Sequence, residues 1–485
     1  MDETLTERAS DDGSKPASAE VDRYRRASFW FDSLWREGAD DLLPRPALGA
    51  DLDVDVCIVG GGLTGLWTAY YLAVADPSLS IAVIEKEIAG FGASGRNGGW
   101  CSALFPQSAG ALESRYGFEA ARAMRRAMVD TVGEVERAAD EEGIDCDFER
   151  GGTVVFARSG LQVASAREDV REARRFGDET DLWGTSTTRE RFGVRDALAT
   201  VFTPDCARVQ PAKLVRGVAR AVERRGVKVF EQTEALDWGD HVVNVRSRPD
   251  GASHRISAGT IVSALEGYGS LLPQVGRRIL PLYSLMIATE PLPDEVWDRI
   301  GIQHGQTFSD YRHLLIYGQR TADNRFAFGG RGARYHLGSA IHPGYDTVER
   351  VRHHLRNALV DLFPEARGAH VTHHWGGPLG VPRDWHASVG YDPATGNAWA
   401  GGYVGDGLST TNIAGRTLAD LITGRSTPLT SLPWVGHRSP RWEREPLRFL
   451  GANAGLVGMQ LADAEEQWTH RPSVVAKLMA PLTGH

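Results

Sequence analysis

Residues 54–65 read VDVCIVGGGLTG, and a chain that carries this string has few folds open to it. Val54 to Val59 is a short β-branched run suited to a buried strand, and Leu63 to Val74 is an apolar stretch of helical length. Between them lies Gly60-x-Gly62-x-x-Gly65. The first glycine permits a tight turn, the second lets a pyrophosphate approach backbone N–H groups, and the third lets helix and strand pack closely. The segment SIAVIEKE then supplies a second strand and places Glu85 20 residues after Gly65, where a carboxylate can accept hydrogen bonds from both ribose hydroxyls. Together these parts predict a Rossmann-like sheet with a dinucleotide on the helix N-terminus. A hydropathy reading would take the uncharged residues 56–75 as a membrane span. Three consecutive glycines, costing about 1 kcal/mol each against alanine, and flanks without Lys or Arg argue against it, so no integral membrane segment is expected.

Composition narrows the function further. Lys+Arg 54 against Asp+Glu 63 leaves a net charge of −9, which lacks the basic footprint of nucleic-acid binding. The four cysteines show no CxxC spacing and none is paired with histidine at metal spacing, so neither a disulfide scaffold nor a zinc site is indicated and a reducing cytoplasm fits best. His353-His354 and His373-His374 also lack ligand spacing, and no metal is expected. The acidic, polar start is unlike a signal peptide and reads as a disordered tail over residues 1–27. Glycine, 55 of 485 residues, exceeds its usual share of about 7%, so many backbone positions must turn tightly or approach something closely.

Much of that glycine follows the second strand. IAGFGASGRNGGW occupies the place where an NAD-binding fold would begin another helix, and such a loop can wrap a longer cofactor. With Gly92-Ala93-Ser94-Gly95-Arg96-Asn97-Gly98-Gly99 the sequence resembles the D-amino-acid oxidase superfamily of flavoproteins. Val209-Gln210-Pro211 with the segment up to Ala235 is similar to that superfamily's return to the nucleotide domain, and Leu265-Glu266-Gly267 stretches its usual Ala-x-Gly. Residues 373–422 are similar to its closing segment, with a glycine loop from Gly402 to Gly407 leading into a helix that would face the flavin. Ala27-Ser28-Phe29-Trp30-Phe31 and Thr411-Asn412-x-Ala414-Gly415-Arg416 bring the resemblance closest to the gamma-glutamylputrescine oxidase branch.

The resemblance implies an α/β composite: a Rossmann-like FAD-binding domain (28–100, 209–279 and 371–430) interleaved with an antiparallel-sheet substrate domain (101–208 and 280–370), then a C-terminal helical cap (431–485). It implies FAD held by Gly60, Gly61, Gly62, Leu63, Thr64 and Gly65; by Glu85 and Lys86; by Gly92, Ala93, Ser94, Arg96, Asn97, Gly98, Gly99 and Trp100; by Ala235; and by Gly402, Gly405, Asp406, Gly407, Leu408, Ser409 and Thr410. Arg96 either faces the flavin or neutralises the pyrophosphate. No cysteine follows Cys206, so the cysteine tether of monomeric sarcosine oxidases is excluded and FAD is expected non-covalent; Cys101, just after the loop, is read as a small hydrophobe. The implied activity is oxidation of an amine or amino acid to an imine, with O₂ as acceptor; a dehydrogenase serving a quinone or protein, or a non-catalytic flavoprotein, are the alternatives. Arg331, Tyr335 and His336, at the end of RFAFGGR, are the candidates for holding substrate, with Asp406 in the closing loop. An Arg383–Asp384 ion pair is expected to be structural.

Overall fold

In the computed structural model, which describes residues 19–483, two eight-stranded sheets carry most of the strands, and a third holds three short ones, Trp100–Ser102, Cys206–Arg208 and Glu149–Arg150. The first is built on Leu52–Val59, whose inner half, Val56 to Val59, is buried on both faces as a parallel strand must be. It pairs in parallel with Ile81–Ile84 on one side (Val56 opposite Ile81) and with Ser253–Ser263 on the other (Val59 opposite Ser263). Lys228–Phe230 extends one edge. Beyond Ser253–Ser263 lie an antiparallel ribbon, Thr233–Gly239 with Val242–Ser247, and the hairpin Ser388–Asp392 with Asn397–Gly401. The helix Leu63–Ala75 covers one face, packed against the closing helix Gly407–Ile422 so tightly that a Cβ on Gly415 would lie 2.6 Å from the Trp67 backbone.

The second sheet runs in the order Val371–Pro382, Ile279–Thr289, Phe326–Gly330, Ile316–Arg320, Thr307–Asp310, Thr153–Ala157, Ala199–Thr203 and Asp181–Trp183. It is antiparallel except where Thr307–Asp310 joins Thr153–Ala157 in parallel. Its own core is aromatic, with Phe156, Phe308, Phe326, Phe328 and Trp297 buried beneath the helix Glu349–Leu362. The charge-rich stretch near residue 120 forms the helix Phe118–Glu141, with Met124, Met128, Val132 and Val135 buried and the charges outward.

The disordered tail expected over 1–27 does not hold over its last third. Residues 1–18 lie outside the described residues, but Ala19–Arg25 is a helix. Val21 and Tyr24, three residues apart, give it a buried stripe, and Arg23 forms an ion pair with Glu87. No helix among the described residues is long and apolar enough to cross a membrane.

Candidate functional site: an FAD cradle between two sheets

A cavity of about 880 Å³ opens along the carboxyl ends of the first sheet's parallel strands. Its floor is the glycine turn. Gly60 has φ +114°, a left-handed value that disfavours side chains, and a Cβ there would lie 2.5 Å from the Ala264 carbonyl oxygen. At Gly65 a Cβ would stand 2.0 Å from the Gly60 carbonyl oxygen, so helix and turn touch backbone to backbone. The helix that follows starts at Gly62, which has no side chain to cap it. Of its first-turn N–H groups Leu63's is taken by Ser94, and those of Gly62 and Thr64 are left for the cavity at the positive end of the dipole.

At one end of the cavity Glu85 accepts hydrogen bonds from the N–H groups of Gly61 (2.8 Å) and Glu87 (3.0 Å). Burial pushes its carboxyl up to about 7, against those two bonds. Ala235 lines the same end. Lys86 also lines it, but its ammonium is committed to Glu234 at 2.7 Å. In the middle, Ser94 Oγ accepts the Leu63 N–H at 2.8 Å and so ties the long glycine loop to the helix start. At the far end the closing helix arrives N-terminus first, lined by Gly405, Gly407 and Leu408; its cap residue Asp406 makes no side-chain capping bond. Thr64 and Tyr403 join the two helices' starts through hydroxyls 3.2 Å apart.

The donors expected from sequence divide into two groups. Gly60, Gly62, Leu63, Thr64, Glu85, Lys86, Gly92, Ala93, Ser94, Arg96, Asn97, Ala235, Gly405, Gly407 and Leu408 line the cavity. Gly61, Gly65, Gly98, Gly99, Trp100, Gly402, Asp406, Ser409 and Thr410 are not among its lining residues. Gly98 and Gly99 exist for packing, since a Cβ on either would enter the Tyr317 ring (2.7 Å) or the Gln319 side chain (2.2 Å). Ser409 Oγ donates to the Ser102 carbonyl, and Thr410 to the Asp406 carbonyl. Arg96 lines the cavity, but its guanidinium hydrogens are largely committed within the protein. Its guanidinium is buried on Asp346 (2.6 Å), the Gly376 carbonyl (3.0 Å) and the Phe91 carbonyl (2.7 Å), pinning the loop to the second sheet. Cys101 is fully buried, and burial raises its thiol well above the ordinary range.

Of the substrate candidates, two come together and two move away. Arg331 donates to the Val404 carbonyl at 3.2 Å, beside cavity-lining Gly405, and stacks 5.1 Å from the Trp385 ring. Asp406 is its electrostatic neighbour: burial pushes this carboxyl up to about 6, and Arg331 restrains the rise. Tyr335 is fully buried, its hydroxyl bonded to Glu445 (2.6 Å) and Ser339 (3.1 Å). His336 stacks on Tyr345, ring centroids 3.4 Å apart. The chain past Arg331 turns away from the cavity, so adjacency in sequence misleads there. Tyr335→Phe is therefore expected to lower stability by about 1 kcal/mol in urea unfolding and leave turnover unchanged. The Arg383–Asp384 pair is not formed; Arg383 bonds Glu443 (3.0 Å) and Asp384 bonds His437 (2.9 Å).

Two residues escaped the sequence reading. Glu266 holds a left-handed φ of +46° and accepts the Tyr403 N–H at 2.9 Å, fixing the loop before the closing helix; burial pushes its carboxyl up to about 7. The stretched Ala-x-Gly was its signal. Tyr317, bonded to Ser284 (2.9 Å) and edge-on to Trp100 (6.1 Å between centroids), joins the second sheet to the loop.

Uncapped helix starts, a ribose-ready carboxylate and a cavity long enough for both define a dinucleotide-dependent redox protein. A family model described as FAD dependent oxidoreductase matches residues 55–421, and the chain belongs to that family; its cofactor is FAD. It is similar to gamma-glutamylputrescine oxidoreductase of Escherichia coli K12 (28% identity, covering 87% of this chain and 96% of that one). It is also similar to sarcosine oxidase subunit beta of an Arthrobacter species (24%, covering 78% and 89%). Among solved structures, glycine oxidase from Geobacillus kaustophilus superposes with a TM-score of 0.64 at 19% identity, over 80% of this chain and 99% of that one, and shares the fold.

Proposed function

We propose that the chain oxidises the C–N bond of an amine or amino acid to an imine, with O₂ as electron acceptor and hydrogen peroxide as co-product, the imine then hydrolysing to an aldehyde or keto product. The observation that carries this reading is the electrostatic coupling of Arg331 with Asp406 at the start of the closing helix: a cation and a titratable anion next to Gly405 and Gly407, which line the end of the cavity. The relatives' names point to the same substrate class.

FAD, when bound, supplies the two-electron acceptor. The chain supplies the rest. Asp406, as carboxylate, accepts an N–H of the substrate nitrogen and fixes which C–H bond faces the acceptor. Arg331 takes the substrate's anionic or carbonyl end. The N-terminus of Gly407–Ile422 favours negative charge gathering at that end of the cavity. The amine must lose its ammonium proton before its C–H bond can break, and that proton goes to solvent. No cysteine follows Cys206, so FAD is held without the cysteine tether found in monomeric sarcosine oxidases.

Anaerobic addition of an amine panel to the yellow holoprotein should bleach it, and air should restore the colour with one peroxide per cycle. Bleaching without rapid reoxidation would give the acceptor role to a quinone or protein; no bleaching by any amine would sink the reading. A pH profile tests the anion. A free alkylamine loses its proton near pH 10 and Asp406 near 6, so log kcat/KM should rise with slope 2 below about pH 6 and slope 1 above it. Asp406→Asn should abolish the lower break. A break that persists would belong to Glu85 or Glu266, which titrate higher, near 7.

A further inference from the structure

The helix Leu447–Thr469 lies beyond the family-matched residues and wears its apolar side outward. Leu447, Leu450, Ala454, Val457, Leu461, Ala464 and Trp468 follow one another at steps of three and four, and every one is exposed, the five large ones by 53–87%. The opposite side is anchored. Asn453 exchanges hydrogen bonds with the backbone N–H and C=O of Tyr335 (3.1 Å each), and Asp463 accepts the N–H groups of His313 (2.7 Å) and Leu314 (2.9 Å). The stripe therefore faces solvent by construction. A mean step of 3.5 residues is the repeat at which one helix winds along another.

The geometry points to a homodimer in which this helix pairs antiparallel with the same helix of a second copy. The stripe complements itself in that direction. With the twofold axis between Ala454 and Val457, Leu447 meets Ala464 of the partner subunit, Leu450 meets Leu461 of the partner subunit, and Ala454 meets Val457 of the partner subunit. Large then faces small in two of the three layers. Gly451, at which a Cβ would meet nothing within 4 Å, flanks the seam and lets the backbones approach. Arg444, which has no carboxylate partner among the described residues, comes beside Glu465 of the partner subunit, a carboxylate with no cation of its own. A parallel pair would set Arg444 on the partner's Arg444 and align the helix dipoles unfavourably. The 23-residue helix is about 34 Å long. Widened by exposed Val474 and Leu478 of the next helix, it offers a patch on the scale of the roughly 800 Å² per partner that stable dimers bury.

Sedimentation velocity of the full-length holoprotein from about 0.1 to about 50 μM should show a dimer. Leu450→Glu and Leu461→Glu should each weaken it at least about 100-fold, with flavin content and melting temperature unchanged because both sites are exposed in the single chain. The native cysteines are buried, so introduced ones report cleanly. A Leu447→Cys/Ala464→Cys double variant should cross-link into a covalent dimer under mild oxidation, and Leu447→Cys alone should not. A monomer throughout, or a dimer indifferent to both glutamates, would overturn the proposal, and cross-linking of Leu447→Cys alone would overturn the antiparallel register. Cosedimentation of a monomer with phosphatidylglycerol vesicles, lost in Leu450→Glu, would assign the stripe to a lipid surface instead.

Discussion

Gly65→Ala should yield a folded protein that purifies colourless, with affinity for added FAD reduced at least about 1,000-fold, or roughly 4 kcal/mol. A Cβ at residue 65 would stand 2.0 Å from the Gly60 carbonyl oxygen and 3.0 Å from the Ile58 side chain. The nearer atom is backbone, so no rotamer change relieves the clash; helix and strand must separate. That separation moves the N–H groups of Gly62 and Thr64, which open the helix and line the cavity, away from any phosphate placed there. Phosphate recognition at a helix start depends on short, aligned donors, and their loss removes several charge-assisted bonds together. Gly160→Ala is the control, because a Cβ there meets nothing within 4 Å. Visible flavin absorbance of the two variants, and titration of each apoprotein with FAD, measure the difference. Wild-type flavin content in Gly65→Ala would refute the close-approach argument.

The cradle was legible in sequence because it is local. Strand, turn and helix from Val54 to Ala75 are contiguous, and each glycine has its reason within a few residues or on the adjacent strand. The second loop was legible as a loop, but the direction of Arg96 was not, since its partner Asp346 lies 250 residues on, in another sheet's surroundings. Distance in sequence also hid the electrostatic coupling of Arg331 with Asp406, where each residue could be named but not the influence of one on the other. Tyr335 shows the reverse error. It follows Arg331 closely, yet the turn after the strand Phe326–Gly330 delivers its hydroxyl to Glu445 in the C-terminal segment. Glu266 could be noticed only as a departure from a pattern. That its carboxylate clamps the Tyr403 N–H depends on a hairpin more than 120 residues downstream.

Arg331→Met should keep FAD and lose substrate handling. The residue reaches the Val404 carbonyl and the Trp385 ring rather than the cavity floor, so no cofactor contact depends on it. Methionine preserves much of the apolar stem packed on Trp385 and removes only the charge. Removing a charge that holds a substrate charge in a partly buried site costs roughly 2–5 kcal/mol, so kcat/KM for an amine that bleaches the wild type should fall by about 30- to 5,000-fold. If Arg331 holds substrate before and during reaction alike, the loss belongs mainly in KM; a loss in kcat alone would mean that it acts only as charge develops. The pH profile supplies an independent sign. Burial raises the Asp406 carboxyl and Arg331 opposes the rise, so without the guanidinium the carboxyl must titrate higher. The slope break near pH 6 should then shift upward in Arg331→Met, whereas it should vanish in Asp406→Asn. An unshifted break with wild-type kcat/KM would remove both residues from the substrate site and return Arg331 to a packing role against Trp385.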